Sequence, residues 1–305
     1  MKPTNLTLED IVDAASAIST ADLCEDLQVD DAIARVTAAV NVVEAKDVDD
    51  LLRLTTRVVA LASGVPADGA FHKLADVDRA HRCRNVFAAI VALAADLGDV
   101  DPRDLLARLA PARGARPGGR GRALTDDEVL VLRVYTSHLM RTATRVEPAI
   151  TYLLTEAGAN PSEATTVTPK RLTPEMSPNK AKLPGVNGIV PKRKVDIPLW
   201  GRVPLRFALT LHMTRHAGAK TTPIAYRGTK QAGGHAASAS ASGNLNRLYR
   251  EVGIDHRSVT PMSVVRWRVA TTKRVHGLKA AAKIRGLDAP KDALRARLQE
   301  FSRAA

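Results

Sequence analysis

The sequence predicts a mainly α-helical chain with one small β-hairpin or sheet, divided into two parts. Three observations carry this. Apolar residues recur at three- and four-residue spacing over residues 5–108, and again from Leu124 onward. Between these regions "ARLAPARGARPGGRGRALTDDE" carries Pro, Gly and Arg without any period, as a linker does. Further on, "KAKLPG" and "KRKVDIPLW" flank "VNGIV" and have the look of two short strands around a turn. A length of 305 residues suits about two domains of ~150. The expected division is a helical domain over 1–108, a basic linker over 109–123 and a second domain over 124–305.

The elements follow in order. "TLEDIVDAASAI" opens with Thr7 as N-cap and Asp10 three residues later, a weak capping box. "DDAIARVTAAVNVVEA", "DVDDLLRLTTRVVALASG" and "VDRAHRCRNVFAAIVALAADLG" read as further helices, the last two ending at Gly64 and Gly98. Short loops between them suggest a small bundle. "LTDDEVLVLRVYTSHLM" is a helix with Thr125 and Glu128 as a capping box. "VEPAITYLLTEAGANPSEATTV" gives a helix ended by Gly158, a turn, and a short helix opening at Pro161. The two strands come next, then a helix over 203–212. "GGHAASASASG" reads as a flexible small-residue loop, and 244–252 as a helix closed by Gly253. The last helices are expected over 262–275, 278–285 and 291–303. Thr260-Pro261 marks the entrance to the first of these.

Charge separates the two parts. Residues 1–110 hold 11 Lys and Arg against 19 Asp and Glu, a net of −8, whereas the remainder is +21. That excess is far above the ~2–8 charges that solubility asks for, and it points to a polyanionic partner. The aromatic fraction is 3%, so the cores must be built from Ala, Val, Leu and Ile. No apolar run of about 18 residues exists to cross a membrane, and "MKPTNLTLEDIVDAA" has no apolar stretch of signal-peptide type. Cys24 and Cys83 read as buried thiols of a reducing, cytoplasmic compartment. His212 and His216 share the spacing of a metal pair, but "HMTRH" offers neither the Glu of a zinc protease helix nor a third ligand. They read as a solvated helix end. No metal and no cofactor is expected, and no phosphate-cradling Gly-rich loop occurs.

The helix after Thr260 poses the question of function. Met262, Val265, Val269, Thr272 and Val275 share one stripe, while Arg266, Lys273 and Arg274 lie off it. In order, "LTDDEV", "LLTEAGANPSEAT", the basic hairpin, "VTPMSVVRWRVAT" and "RGLDAPKDALRAR" resemble the catalytic domain of the tyrosine recombinases, the phage-integrase family, over roughly residues 124–300. The resemblance implies an N-terminal helical core-binding-like domain followed by a recombinase-like domain, the two clamping duplex DNA. It also implies a tyrosine nucleophile supported by two arginines, a lysine and histidine or tryptophan groups. By position the first arginine falls on Asn160, the first histidine on Met262, the second arginine on Val265, the second histidine on Leu287 and the nucleophile on Ala296. A one-residue slip would put Arg266 at the second arginine. The hairpin lysine corresponds to Lys192, Arg193 or Lys194. The last tyrosine is Tyr249, so no tyrosine follows it. The expectation is a degenerate member that keeps the scaffold and has lost the chemistry.

What remains is a set of cations at loops and helix starts. These are Arg113, Arg116, Arg120 and Arg122 of the linker, Lys170 and Arg171, Lys180 and Lys182, Lys192, Arg193 and Lys194, and Arg227 and Lys230. Arg247, Arg266, Arg268, Lys273 and Arg274 complete the set, with Arg250, Lys283 and Arg285 as further candidates. Such groups neutralise backbone phosphates without reading sequence. Trp200 and Trp267 are candidates for base stacking or, more simply, for packing. In the acidic half, "HKLADVDRAHRCR" offers Lys73, Arg79, Arg82 and Arg84 as a local basic face; otherwise that half would contact a protein, a second copy or an active recombinase. The C-terminal "DALRARLQEFSRAA" would pack on its own domain or on a neighbour. Three functions stay open: a non-catalytic DNA-binding regulator, architectural or accessory factor of recombination or a mobile element; a divergent recombinase with displaced catalytic groups; and a protein-interaction subunit of a recombinase complex.

Overall fold

The structure is a computed structural model that describes residues 6–19, 22–64, 76–112, 116, 119, 121–175, 177–185, 190–215, 219–255 and 257–287. It is mainly helical with one small sheet, as the periodicity predicts. Its contacts form two compact units. The first comprises Met1–Gly118, Thr125–Tyr135 and Tyr249–Asp255, and the second Gly119–Leu124, Thr136–Leu248 and His256–Ala305. The division is therefore not a single cut. Arg116 and Asn85 both hold Asp127, which draws the start of the next helix into the first unit.

In the first unit α1 (Leu8–Ile18) starts from the expected box: Thr7 Oγ1 accepts from the Asp10 amide at 3.2 Å, and Asp10 Oδ2 accepts from the Thr7 amide at 2.6 Å. α2 (Asp30–Val42) follows. The segment read as one helix over 47–64 is two, α3 (Val48–Arg53) and α4 (Thr55–Ala62), broken at Leu54. α5 (Val77–Leu97) is the centre of the unit, with Val86–Ala95 buried on every side and α1, α2, α4 and α6 (Pro102–Arg108) packed on it. Around α5 the buried side chains are mostly Ala, Val, Leu and Ile, with Phe87 as the aromatic of that helix, in keeping with the low aromatic content.

α7 (Asp126–Thr142) is buried along most of its length. One side of its capping box is made: the Thr125 amide donates to Glu128 Oε2 at 3.0 Å. The second unit continues with α8 (Glu147–Glu156) and α9 (Pro161–Ala164), which opens at Pro161 as expected. The hairpin is in fact a three-stranded antiparallel sheet of β1 (Leu172–Thr173), β2 (Lys180–Leu183) and β3 (Arg193–Asp196). Leu172, Ala181, Leu183 and Val195 are buried, and the alternate positions are exposed. The strand written "KRKVDIPLW" stops at Asp196, because α10 (Leu199–Arg215) begins four residues before the expected 203, with Pro204 inside it.

The largest departure is "GGHAASASASG". It is not a loop but the first half of α11 (His235–Glu251). Ala237, Ala241, Leu245 and Leu248 are buried at helical spacing, and Ala is the best helix former. The helices expected over 262–275 and 278–285 are the two arms of α12 (Ser263–Ile284), parted by a kink at Gly277 (φ 84°, ψ 175°). Only glycine settles readily in that backbone region. The expected helix over 291–303 lies outside the described residues. No described helix is long and apolar enough to cross a membrane.

Candidate nucleic-acid interface

The sheet of the second unit presents two faces. Ala181, Leu183 and Val195 turn one inward, while Lys180 and Lys182 of β2 and Lys194 and Asp196 of β3 are exposed on the other. The register sets Lys182 directly across from Lys194, and Lys180 across from Asp196. Like charges facing each other across two strands destabilise the pairing. Lys192 is exposed just before β3, and Lys170 just before β1. Arg227, Lys230, Arg247, Lys273 and Arg274 are exposed elsewhere, with Arg227 ion-paired to Glu147. Arg268 and Arg171 are half-buried, the latter donating from Nη1 to Thr166 Oγ1 at 3.2 Å.

Several cations that look superficial in sequence are interior. Arg193 is one. Its Nη1 donates to Glu163 Oε1 at 2.7 Å, its Nη2 to Glu163 Oε2 at 2.9 Å and to the Gly158 carbonyl at 2.7 Å, and its Nε to the Ile284 carbonyl at 2.7 Å. Both side chains are buried, and the pair ties β3 to α9 and to the end of α12. Arg193 therefore cannot meet a phosphate without leaving a carboxylate buried alone, and it is removed from the set of free cations. Arg116 is removed for the same reason. Its guanidinium bridges Asp127 at 2.8 and 2.9 Å and Asp78 at 2.8 Å. Arg122 is buried and donates to the Ala123 carbonyl at 3.0 Å, and Arg266 is half-buried and donates to the Gly121 carbonyl. Arg113 and Arg120 lie outside the described residues.

Of the local basic face considered for the acidic half, Arg79 and Arg82 are half-exposed and lie beside carboxylates, and Arg84 is interior. Arg79 pairs with Asp76 and Arg82 with Asp78, while Arg84 is buried and donates to the Val252 carbonyl at 2.6 Å. Burial lowers the Arg84 pKa to about 10, which leaves it charged at neutral pH. Lys73 is outside the described residues.

Of the positions to which the resemblance assigns chemistry, Asn160, Met262, Val265 and Leu287 are described, and their contacts are those of packing and capping groups. Asn160 precedes α9; its amide donates to Glu163 Oε2 at 2.8 Å, and its Oδ1 accepts from Arg285 Nη1 at 2.9 Å. Burial, with the neighbouring Arg193, lowers the Arg285 pKa to about 10. Met262 is half-buried, and Val265 is fully buried with Val269 and Thr272, whereas Val275 at the end of the stripe is 49% exposed. Leu287 packs against Val269, Ala281 and Ala282. Ala296 lies outside the described residues. All four tyrosines of the chain, Tyr135, Tyr152, Tyr226 and Tyr249, are buried. Burial pushes the Tyr135 hydroxyl up to about 12 and Tyr249 higher still.

Other candidates resolve simply. Trp200 and Trp267 are buried; Trp200 donates to Glu156 Oε1 at 3.1 Å and packs on Tyr152 with ring centroids 6.2 Å apart. His212 is buried in α10 rather than solvated, and His216 is outside the described residues. No group of three or more His, Cys, Asp or Glu side chains that could hold a metal ion occurs among the described residues. Cys24 and Cys83 are free thiols, half-buried and buried respectively. Sequence reasoning missed the Arg193–Glu163 pair and the Arg285–Asn160 bond. In each the partners are far apart in the chain, and no local spacing announces them.

No protein-family model matches this chain, and no curated protein does. Among solved structures it is similar to one described as the crystal structure of XerA recombinase. The TM-score is 0.44 and the identity 13%, over 96% of this chain and 97% of that one.

Proposed function

We propose that this chain is a non-catalytic double-stranded DNA-binding protein on a tyrosine-recombinase-like scaffold, serving as a regulator, architectural factor or accessory factor of recombination or of a mobile element. The observation that carries the reading is the exposed face of the β1–β2–β3 sheet. Lys182 and Lys194 stand opposite one another there, with Lys180 on the same face. A folded protein gains nothing from that repulsion in isolation, and a polyanion laid across the face relieves it. The strongly basic remainder of the chain supplies the long-range attraction.

The absence of chemistry is supported by other side chains. A phosphotyrosine linkage needs a hydroxyl that can reach a phosphate, and the four tyrosines are buried. Val265 offers no charge to a pentavalent phosphate, and Asn160 is engaged in capping. A second reading, a recombinase with displaced groups, is favoured by one observation: Arg285 brings a guanidinium onto Asn160, the place of the first arginine.

Two measurements test this. Duplex binding followed by fluorescence anisotropy between roughly 50 and 200 mM salt is expected to weaken steeply, by about 10³-fold or more if six phosphates are contacted. A flat response removes the DNA reading. A nicked suicide duplex is expected to give no covalent adduct; an adduct stable to denaturation would establish the displaced-recombinase reading instead.

A further inference from the structure

The second unit contains a cavity of about 270 Å³ beside the α12 kink, walled by the end of α8, by β3 and by both arms of α12. Arg268, Thr272 and His276 follow one another at four-residue spacing on the first arm, so they line one side. Gly277 then turns the chain at positive φ, and the second arm brings Lys283 to the same space. β3 contributes Lys194 and Asp196. Three basic side chains thus meet one carboxylate, and His276 adds a ring bearing at least one N–H. The Thr272 hydroxyl is buried and makes no hydrogen bond, not even the usual one to the preceding turn of its helix.

We propose that this cavity binds a small, multiply charged phosphate compound of the diphosphate class, held by Lys194, Arg268 and Lys283. Charge and size select the class. A backbone phosphodiester carries one negative charge, less than the surplus of two cations over the carboxylate. A terminal phosphate carries about −1.5 to −2, and a diphosphate more. The volume lies just under the ~300–1,000 Å³ of ordinary ligand pockets, and at ~30 Å³ per water it equals the room of about nine waters. That suits a diphosphate group and is small for a whole nucleotide. Arg and Lys are the side chains that hold such oxygens, Arg through paired N–H donors and Lys as a point charge.

The site shares Lys194 with the duplex face but takes Arg268 and Lys283 from α12, and Lys180 and Lys182 do not line it. The test is calorimetric titration of the full chain with inorganic pyrophosphate at constant ionic strength, with sulfate as control. Saturable binding with a Kd below about 1 mM is expected, with sulfate much weaker. Lys283→Ala and the conservative Arg268→Lys should each weaken pyrophosphate binding by roughly tenfold, while Lys180→Ala with Lys182→Ala leaves it unchanged. Circular dichroism of each variant checks that the fold is kept. No saturable heat up to several millimolar pyrophosphate, or binding indifferent to Lys283→Ala, overturns the proposal. It is equally overturned if pyrophosphate displaces a bound duplex and Lys283→Ala weakens duplex binding alike, for the cavity is then a seat for backbone phosphate. If the chain binds no duplex at all, the pyrophosphate result stands unaffected.

Discussion

The two units spend their cations in opposite ways. In the first, Arg35, Arg53, Arg79, Arg82, Arg103, Arg108 and Arg116 each face a carboxylate within 4.0 Å, and Arg84 donates to backbone carbonyls. In the second, the lysines of the sheet and its flanks stand exposed, two of them opposed across a ladder. The acidic unit thus binds its positive charge internally and is left with carboxylates to present. The basic unit buries Arg193 against Glu163 and engages Arg227 and Arg285 within its own fold, but leaves the lysines of its sheet outward. Net charge alone shows the difference in sign. The pairing shows a difference in placement: more of the cations are paired with carboxylates in the first unit, and the sheet lysines are exposed in the second.

The strongest break of this comparison is Arg116→Met. It leaves Asp127 and Glu128 buried without their cation, and removal of one partner from such a group costs about 3–5 kcal/mol, measurable by urea unfolding. The pH response should also reverse. In the parent chain burial alone would raise the Asp127 pKa, but the Arg116 guanidinium, with the Asn85 amide, overcomes it and holds the carboxyl below its ordinary value. That stabilisation is present above the unfolded value of about 3.9 and is lost as pH falls through the folded value. In Arg116→Met burial acts without its counterweight, so the carboxyl rises above its unfolded value. Stability then increases as pH is lowered from 7 toward 4. A variant with the parent's pH profile would mean that Asp127 finds another cation.

Next in size is the α12 kink. A Cβ at Gly277 meets nothing within 4 Å, so Gly277→Ala adds no clash and tests the backbone alone. At φ 84° and ψ 175° the strain should cost about 1–3 kcal/mol. A neutral substitution would show that the chain straightens there at little cost. Gly158 makes the contrast: its φ is +110°, and its Cβ would lie 2.5 Å from Ile284 Cγ2, so strain and clash add.

The same comparison explains what was legible in the sequence. Elements whose signal is local were: the Thr7–Asp10 box of α1, the apolar run of α5, the Pro161 entry to α9 and the Gly277 break. Elements whose apolar face is made of alanine were not. α11 buries Ala237 and Ala241 among serines, and small side chains gave the stretch a loop-like composition despite a sound helical spacing. Charge was legible as a sum and not as a placement. Arg193 and Lys194 are neighbours in one basic run, yet strand alternation turns Arg193 toward Glu163, thirty residues away in sequence, and Lys194 outward. The loss of charge at Asn160 and Val265 could be read by position. The bond from Arg285 to Asn160 could not, since it depends on the end of α12 returning to the start of α9.

A smaller effect sharpens the functional half of the contrast. Replacing Lys180 and Lys182 together by Ala removes two exposed cations from the sheet face and should weaken duplex binding by roughly tenfold or more. It should also make the dependence of log K on log salt shallower by about 2. The loss should be similar for unrelated duplex sequences, because phosphate contacts carry no base information. An unchanged slope would place the duplex elsewhere on the basic unit.

The smallest expected effect has the opposite sign. Lys182→Gln keeps a polar side chain only one atom shorter, removes the charge opposite Lys194, and should raise folding stability by about 0.2–1 kcal/mol while weakening duplex binding. A double-mutant cycle with Lys194→Gln isolates the pair. The coupling should be unfavourable in the parent, and it should shrink as salt is raised from roughly 0.05 to 0.5 M, since both groups are exposed and screening is efficient over such distances. Stability gained at the expense of affinity is the signature of a surface kept for a partner. If Lys182→Gln destabilises the protein instead, its methylene stem is contributing packing to the sheet that outweighs the repulsion, and the lysine belongs to the fold as much as to the interface.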